Sequence, residues 1–237
     1  YLNEKPNSIA EGVFRRHVFD DPIAKVKLDK LRKHHLRNWR ARLEKAPAML
    51  SRSKSGEKRW KDRAKSTVNR DMSPLRAGLG RVLTLGTPNS DAAWQEALKP
   101  HKGAERRRSL YLDKAERKRL IDATGDEARP FVQGLCMLPL RPGALAKLNV
   151  GDFDRRTRSL IIGYDKHAKP RQISLPPVIA EFFTKQVKNK RQTAKIFCRS
   201  GGDHWHKDVW KHPIKEAILA AGLPKAASAY TIRHSVI

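Results

Sequence analysis

Two prolines, Pro139 and Pro142, bracket the stretch that most constrains how this chain can fold. Before them, Phe131 to Leu138 is an apolar run with almost no charge, in a sequence that is otherwise 32% charged. Pro139 should end a helix formed by that run, and Pro142 suits the first turn of the next one. Leu145 and Leu148 then fall on one face of the new helix. Arg141 is thereby held at a buried turn, beside a helix N-terminus whose free N–H groups favour an anion. A permanent cation in that position grips a phosphate or ties the loop to a carboxylate. The stretch alone allows either.

The charge balance bears on that choice. Lys and Arg number 51 against 24 acidic residues, a formal net charge of +27. Up to Arg108 there are 27 basic and 12 acidic residues, and beyond it 24 and 12. The excess therefore runs through both halves, which points to a polyanion touching both, nucleic acid before anionic membrane. No apolar segment approaches transmembrane length. Cys136 and Cys198 match no zinc or redox spacing, as expected of a reduced cytoplasmic protein. No signal peptide is evident, and the chain opens on Tyr1 rather than Met, which leaves room for residues upstream.

The first hundred residues read as helices. Asn7 to Phe19 is a first helix, broken at Asp20-Asp21-Pro22. Leu28, Leu31, His35, Trp39 and Leu43 recur at helical spacing, with Arg32, Lys33, Arg37 and Arg40 largely on other faces. His34 is read as surface and His35 as core. A cationic outer side with few acidic neighbours favours Arg37 and Arg40 as phosphate contacts. Ser51 to Ser55, followed by Gly56, reads as a flexible basic loop. A helical region resumes at Glu57 and carries Met72, Leu75, Leu79 and Leu83. Ser66 or Thr67 is a candidate cap whose helix N-terminus meets a backbone phosphate, with Lys65 and Arg70 alongside. Trp94 and Leu98 mark one more short helix before Pro100.

His101 to Ser109 is polar and basic, and reads as an interdomain linker. Asp113 and Glu116 then form a capping box. Beyond the Arg141 helix the pattern changes. Ser159 to Gly163 and Arg171 to Leu175 read as two strands joined by a cation-rich hairpin turn holding Lys166 and Lys169. Helices return at Pro177 to Val187 and Trp210 to Ala221, and Ile196 to Cys198 is an extended, buried segment. Tyr230 to His234 opens a last helix. His204, His206 and His212 lack the cysteine or acidic neighbours of a metal site, so no metal is expected.

Arg141, Lys166 and Arg233 suit a phosphodiester if they converge. The arginines can fork onto non-bridging oxygens and hold the charge of a pentacoordinate transition state. A lysine can protonate the leaving 5′ oxygen, which a guanidinium does poorly. No acidic cluster of metal-ligand character accompanies them, which favours phosphoryl transfer without metal or cofactor.

On these residues the sequence resembles the tyrosine recombinases, the family of phage integrases, Xer recombinases and Cre. Leu138 to Asp154 (LPLRPGALAKLNVGDFD) is similar to the family's first conserved box, with Arg141 as its first catalytic arginine. Lys166, 25 residues on, matches the hairpin lysine, and Lys169-Pro170-Arg171 to Leu175-Pro176 continues that pattern. Tyr230-Thr231-Ile232-Arg233-His234 resembles the His-x-x-Arg-His box, with Arg233 as the second arginine. Two positions depart. Tyr230 stands in the histidine's place, where a phenol can still hydrogen-bond the phosphate but is a poorer acid–base near neutral pH. Ala144 stands where an acidic residue commonly buttresses the first arginine.

The resemblance implies an α+β, mainly α architecture. An all-helical SAM-like core-binding domain (1–100) and a linker (101–109) should precede a mixed α/β catalytic domain with a small antiparallel sheet (110–237). The two domains are expected to clamp duplex DNA. The implied chemistry is strand cleavage through a 3′-phosphotyrosyl link and rejoining to a partner strand, with Arg141, Lys166, Tyr230 and Arg233 at the phosphate. Arg37, Arg40, Lys65, Thr67, Arg70, Lys169 and Arg171 are the expected DNA contacts. Two protomers per site and four on paired sites are implied, in a cytoplasmic, nucleoid-associated enzyme of a bacterial or phage mobile element. The nucleophilic tyrosine is expected some tens of residues past Ile237, because Tyr1, Tyr111, Tyr164 and Tyr230 all fall outside its place; the chain as it stands is therefore expected to be inactive. A DNA-binding regulator that does not cut, and a type IB topoisomerase-like enzyme, are the alternatives.

Overall fold

The computed structural model describes residues 2–4, 8–52, 56–83, 91–104, 109–163 and 170–236. The chain divides into two compact units, Tyr1–Arg107 and Arg108–Ile237. The fold is α+β and mainly helical, with ten α-helices and two small antiparallel sheets among the described residues. No helix among them is long and apolar enough to cross a membrane.

The first unit holds α1 (Ser8–His17), α2 (Lys33–Lys45), a hairpin of β1 (Ala48–Arg52) and β2 (Lys58–Lys61), α3 (Lys65–Val82) and α4 (Asp91–Ala97). Asp21 caps the 3-10 turn Pro22–Lys25 by accepting from Ile23 N at 2.8 Å, and Arg42 forks onto the same carboxylate at 2.6 and 2.8 Å. The core is built where Leu36, Trp39 and Leu43 of α2 meet Val68, Met72, Leu75 and Leu79 of α3. The Trp39 indole donates to His17 O at 2.5 Å, so the largest side chain in this core has its polar atom satisfied.

Three sequence expectations change here. The helix reading of Leu28 to Leu43 slips, because Leu28–Lys30 is a 3-10 turn and Leu31 and Arg32 are extended. Leu36 then takes the buried place expected of His35, and His35 Nδ1 instead accepts from Arg32 N at 3.1 Å as the helix begins. Residues 48–52 and 58–61 pair as antiparallel strands where a loop and a helix start were expected, so the first unit is not all-helical; Ser53 to Ser55 of the expected loop lie outside the described residues. Finally, α3 starts with Ala64 as its N-cap, and Ser66 and Thr67 lie inside its first turn rather than capping it.

The second unit packs α5 (Lys114–Asp122), α6 (Arg129–Met137), α7 (Pro142–Lys147), α8 (Pro177–Val187), α9 (Lys207–Ala220) and α10 (Ala229–His234) around a three-stranded antiparallel sheet. The sheet order is β3 (Phe153–Asp154), β4 (Ser159–Ile162), β5 (Arg171–Ser174), with Leu160 opposite Ile173 and Ile162 opposite Arg171. The Asp113/Glu116 capping box is closed in both directions, at 2.7 and 2.9 Å. Phe131 of α6 sits at the centre of the core, its ring 5.5 Å from Trp205, 5.6 Å from Trp210 and 6.3 Å from Phe197. Gly134, one turn on, lets α6 approach closely, since a Cβ there would lie 3.0 Å from Phe197 and 3.1 Å from Leu145.

Candidate active site

The site is organised by the turn between α6 and α7. Leu138 leaves the helix in an extended conformation, and Leu140 N donates to Leu138 O at 2.7 Å, closing a three-residue turn about Pro139. Arg141 is the N-cap of α7 (φ −64°, ψ 140°), and its carbonyl accepts from Ala144 N and Leu145 N at 2.8 and 3.0 Å. Pro142 at the first helical position donates nothing and needs no partner. Leu140, Leu145 and Leu148 are buried on either side, so the backbone carrying Arg141 is fixed while its side chain is half-buried. Because α7 spans six residues, its dipole is a minor contribution beside the guanidinium itself. Ala144 is buried and offers no carboxylate to Arg141.

Arg233 reaches this turn from the far end of the unit. Its Nε donates to Pro139 O at 3.0 Å, two residues before Arg141. Helix α10 is anchored on both sides of Arg233. Ser228 N donates to Thr231 Oγ1 at 3.1 Å, and Ser235 Oγ donates to Thr231 O and accepts from Leu112 N, each at 2.8 Å. Ile232 is fully buried, which turns its neighbour Arg233 toward the surface. Tyr230, in the first turn of α10, is 44% exposed. It lines, with Gly143, Trp210 and Ile214, an open groove of about 410 Å³. Lys207, Lys211 and Lys215 of α9 also border that groove. Sequence reasoning missed these lysines, although their i, i+4, i+8 spacing was legible.

Lys166 and Lys169 lie outside the described residues. Arg171 is exposed at the start of β5. Among the first unit's expected contacts, Arg37 is exposed and forms a long ion pair with Glu96 at 3.6 Å. Lys65 and Arg70 are exposed along the first turns of α3, while Thr67 beside them is half-buried. Arg40 differs from expectation. Its guanidinium donates to Glu44 at 2.8 Å and to the carbonyls of Ala97 and Lys99 at 3.2 and 2.8 Å, and meets the His101 ring at 3.0 Å. It staples α2 to the segment after α4. The His204 and His206 rings are 5.8 Å apart, and no group of three metal-ligating side chains occurs among the described residues.

No protein-family model and no curated protein matches the sequence. Solved structures do. The Tn1549 transposon integrase in complex with transposon right end DNA superposes with a TM-score of 0.69 at 15% identity, covering 99% of this chain and 82% of that one. A lambda integrase (75–356) dimer bound to a COC′ core site gives 0.59 at 13% identity, covering 96% and 75%. This chain has the tyrosine-recombinase fold. Within the second unit one hydrogen bond, from Arg233 Nε in the last turn of α10 to Pro139 O, joins that helix to the turn that carries Arg141.

Proposed function

We propose that this chain is the core of a site-specific DNA recombinase, an integrase of a mobile element, that cuts and rejoins strands through a 3′-phosphotyrosyl intermediate. The observation that carries the reading is the hydrogen bond from Arg233 to Pro139 O on this fold, which brings the helix that carries Arg233 against the turn that carries Arg141. In the reaction a tyrosine oxygen attacks the phosphorus as its phenolic proton passes to water. The P–O5′ bond breaks, and the 5′ oxygen takes a proton from Lys166. Arg141 and Arg233 hold the non-bridging oxygens as negative charge builds on them, and the Tyr230 hydroxyl donates to one of the same oxygens. A free 5′ hydroxyl from a partner duplex reverses the step, so the link itself stores the energy of rejoining. The DNA track uses Arg37, Lys65, Thr67 and Arg70 in the first unit and Lys169 and Arg171 in the second. Two protomers occupy a site and four occupy a pair of sites, in the cytoplasm and on the nucleoid.

The test uses the full-length protein with a suicide duplex nicked near the crossover, without added metal, and a denaturing gel for the covalent protein–DNA band. The band is expected, and is expected to vanish in Arg141→Ala and Arg233→Ala. Tight, salt-sensitive binding with no band would instead favour a regulator that does not cut, the reading to which Tyr230 and the buried Ala144 lend weight.

A further inference from the structure

The β1–β2 hairpin has no role in the chemistry above, yet it is the most unusual surface of the first unit. Met49, Leu50 and Trp60 on it are 54%, 57% and 53% exposed. Met49 lies directly opposite Trp60, so the two form a cross-strand pair on one face. The register shift between Met49 and Ser51 leaves Leu50 as a bulged residue, which bends and twists the ribbon. All of β2 is exposed, which means that neither face of this strand is buried against its own unit. A free two-stranded ribbon gains little stability by itself. Keeping large apolar side chains on it in water calls for a partner.

The root of the ribbon is fixed. Arg63, whose side chain is 6% exposed, pairs with the equally buried Asp71 of α3. The same guanidinium donates through Nε to Ala46 O at 2.9 Å, just before β1. One buried cation therefore joins the entry and exit of the hairpin to the helix behind it, so the ribbon projects as a fixed element.

We infer that the β1–β2 hairpin is a DNA-reading element whose Met49–Trp60 face enters the major groove of the duplex. The inference rests on the DNA-binding part of the proposed function. Three observations select DNA over other occupants. Lys58 shares the face of Trp60, and Arg59 and Lys61 take the other, so both faces of β2 carry cations around its one aromatic residue. A two-stranded ribbon has the width that the major groove admits, and thymine methyl groups there offer apolar contact. The same ribbon of a second copy is disfavoured as the occupant, because Lys58, Arg59 and Lys61 of each would face one another. The acids that flank β2, Glu57 and Asp62, lie at its two ends and leave the Lys58–Lys61 run wholly basic and aromatic.

The experiment replaces Trp60 by the photo-crosslinker p-benzoylphenylalanine in the full chain. A randomised duplex pool is added, and each sample is divided between a mobility-shift gel and ultraviolet crosslinking. The expected result is a protein–DNA crosslink suppressed by methyl green, which occupies the major groove, and insensitive to netropsin, which occupies the minor groove. In parallel, Trp60→Ala should weaken binding about tenfold, and Trp60→Phe should restore most of it. A crosslink to a second protein chain, a crosslink sensitive only to netropsin, or no crosslink with the mobility shift intact would each overturn the inference and leave the DNA reading standing. Absence of a mobility shift in the unaltered chain would overturn the DNA reading itself.

Discussion

Replacing Asp71 by alanine should destabilise the first unit by about 3 kcal/mol, far more than its size suggests. The carboxylate and the Arg63 guanidinium are each only 6% exposed, so the pair is shielded from water. Removing one member of a buried pair costs about 3–5 kcal/mol, chiefly because the other charge is left uncompensated. The lower end applies here, since Arg63 keeps the Ala46 carbonyl at 2.9 Å. In urea, with a slope of about 1–3 kcal/mol/M, that loss moves the midpoint by roughly 1–3 M. Hydrogen exchange of α2 and α3 peptides across a urea series, read by mass spectrometry, isolates this unit from the other. The double variant Arg63→Met/Asp71→Leu should recover most of the loss, because neither charge remains to be desolvated. A loss below about 1 kcal/mol for Asp71→Ala, or a double variant no better than the worse single one, would refute the reasoning.

Other consequences are as direct. Lys65→Ala should lower the slope of log K against log salt for duplex binding by about one and leave the urea midpoint unchanged, whereas Arg40→Ala should lower the midpoint and leave the slope alone. Burial pushes the Cys136 thiol up to about 12 from the ordinary 9.0, against a smaller opposing effect of Arg117. Iodoacetamide should therefore modify the half-buried Cys198 and spare Cys136 in the folded chain. With the folded value above the unfolded one, the stability Cys136 contributes is whole below pH 9.0 and is lost as pH rises toward about 12, which alkaline unfolding of a Cys136→Ala variant checks by its weaker pH dependence. Gly134→Ala should destabilise the second unit by about 1–2 kcal/mol in calorimetry. Its Cβ meets Phe197 and Leu145, both buried and unable to retreat, which outweighs the helix-propensity gain of about 1 kcal/mol.

Most of the second unit was legible because its residues report local chemistry. The Asp113/Glu116 box, the start of α8 at Pro177 and the turn about Pro139 each depend on neighbours within a few positions. The hairpin was not legible, since strand patterning needs one buried face and Lys58 to Lys61 has none. The slip at His35 came from two extended residues that no helical period can register. Arg40 looked like any cation on an outer helix face, because the carbonyls and ring that hold it lie 57 to 61 residues away. The meeting of Arg233 with the Arg141 turn is also non-local. The resemblance supplied the expectation that these segments belong together, whereas the hydrogen bond to Pro139 O that joins them could be read only from the fold.

That bond also sets an order of assembly. Pro139 and Arg233 are 94 residues apart, so during synthesis the three-residue turn, its helix and the whole sheet emerge before the guanidinium that fastens them exists. At translation rates of about 5–20 residues per second, that interval lasts roughly 5–20 s, long against the folding of small elements. A nascent chain therefore holds the Arg141 turn without its clasp for seconds. The clasp between Arg233 and the Arg141 turn cannot form until α10 has left the ribosome and buried Ile232.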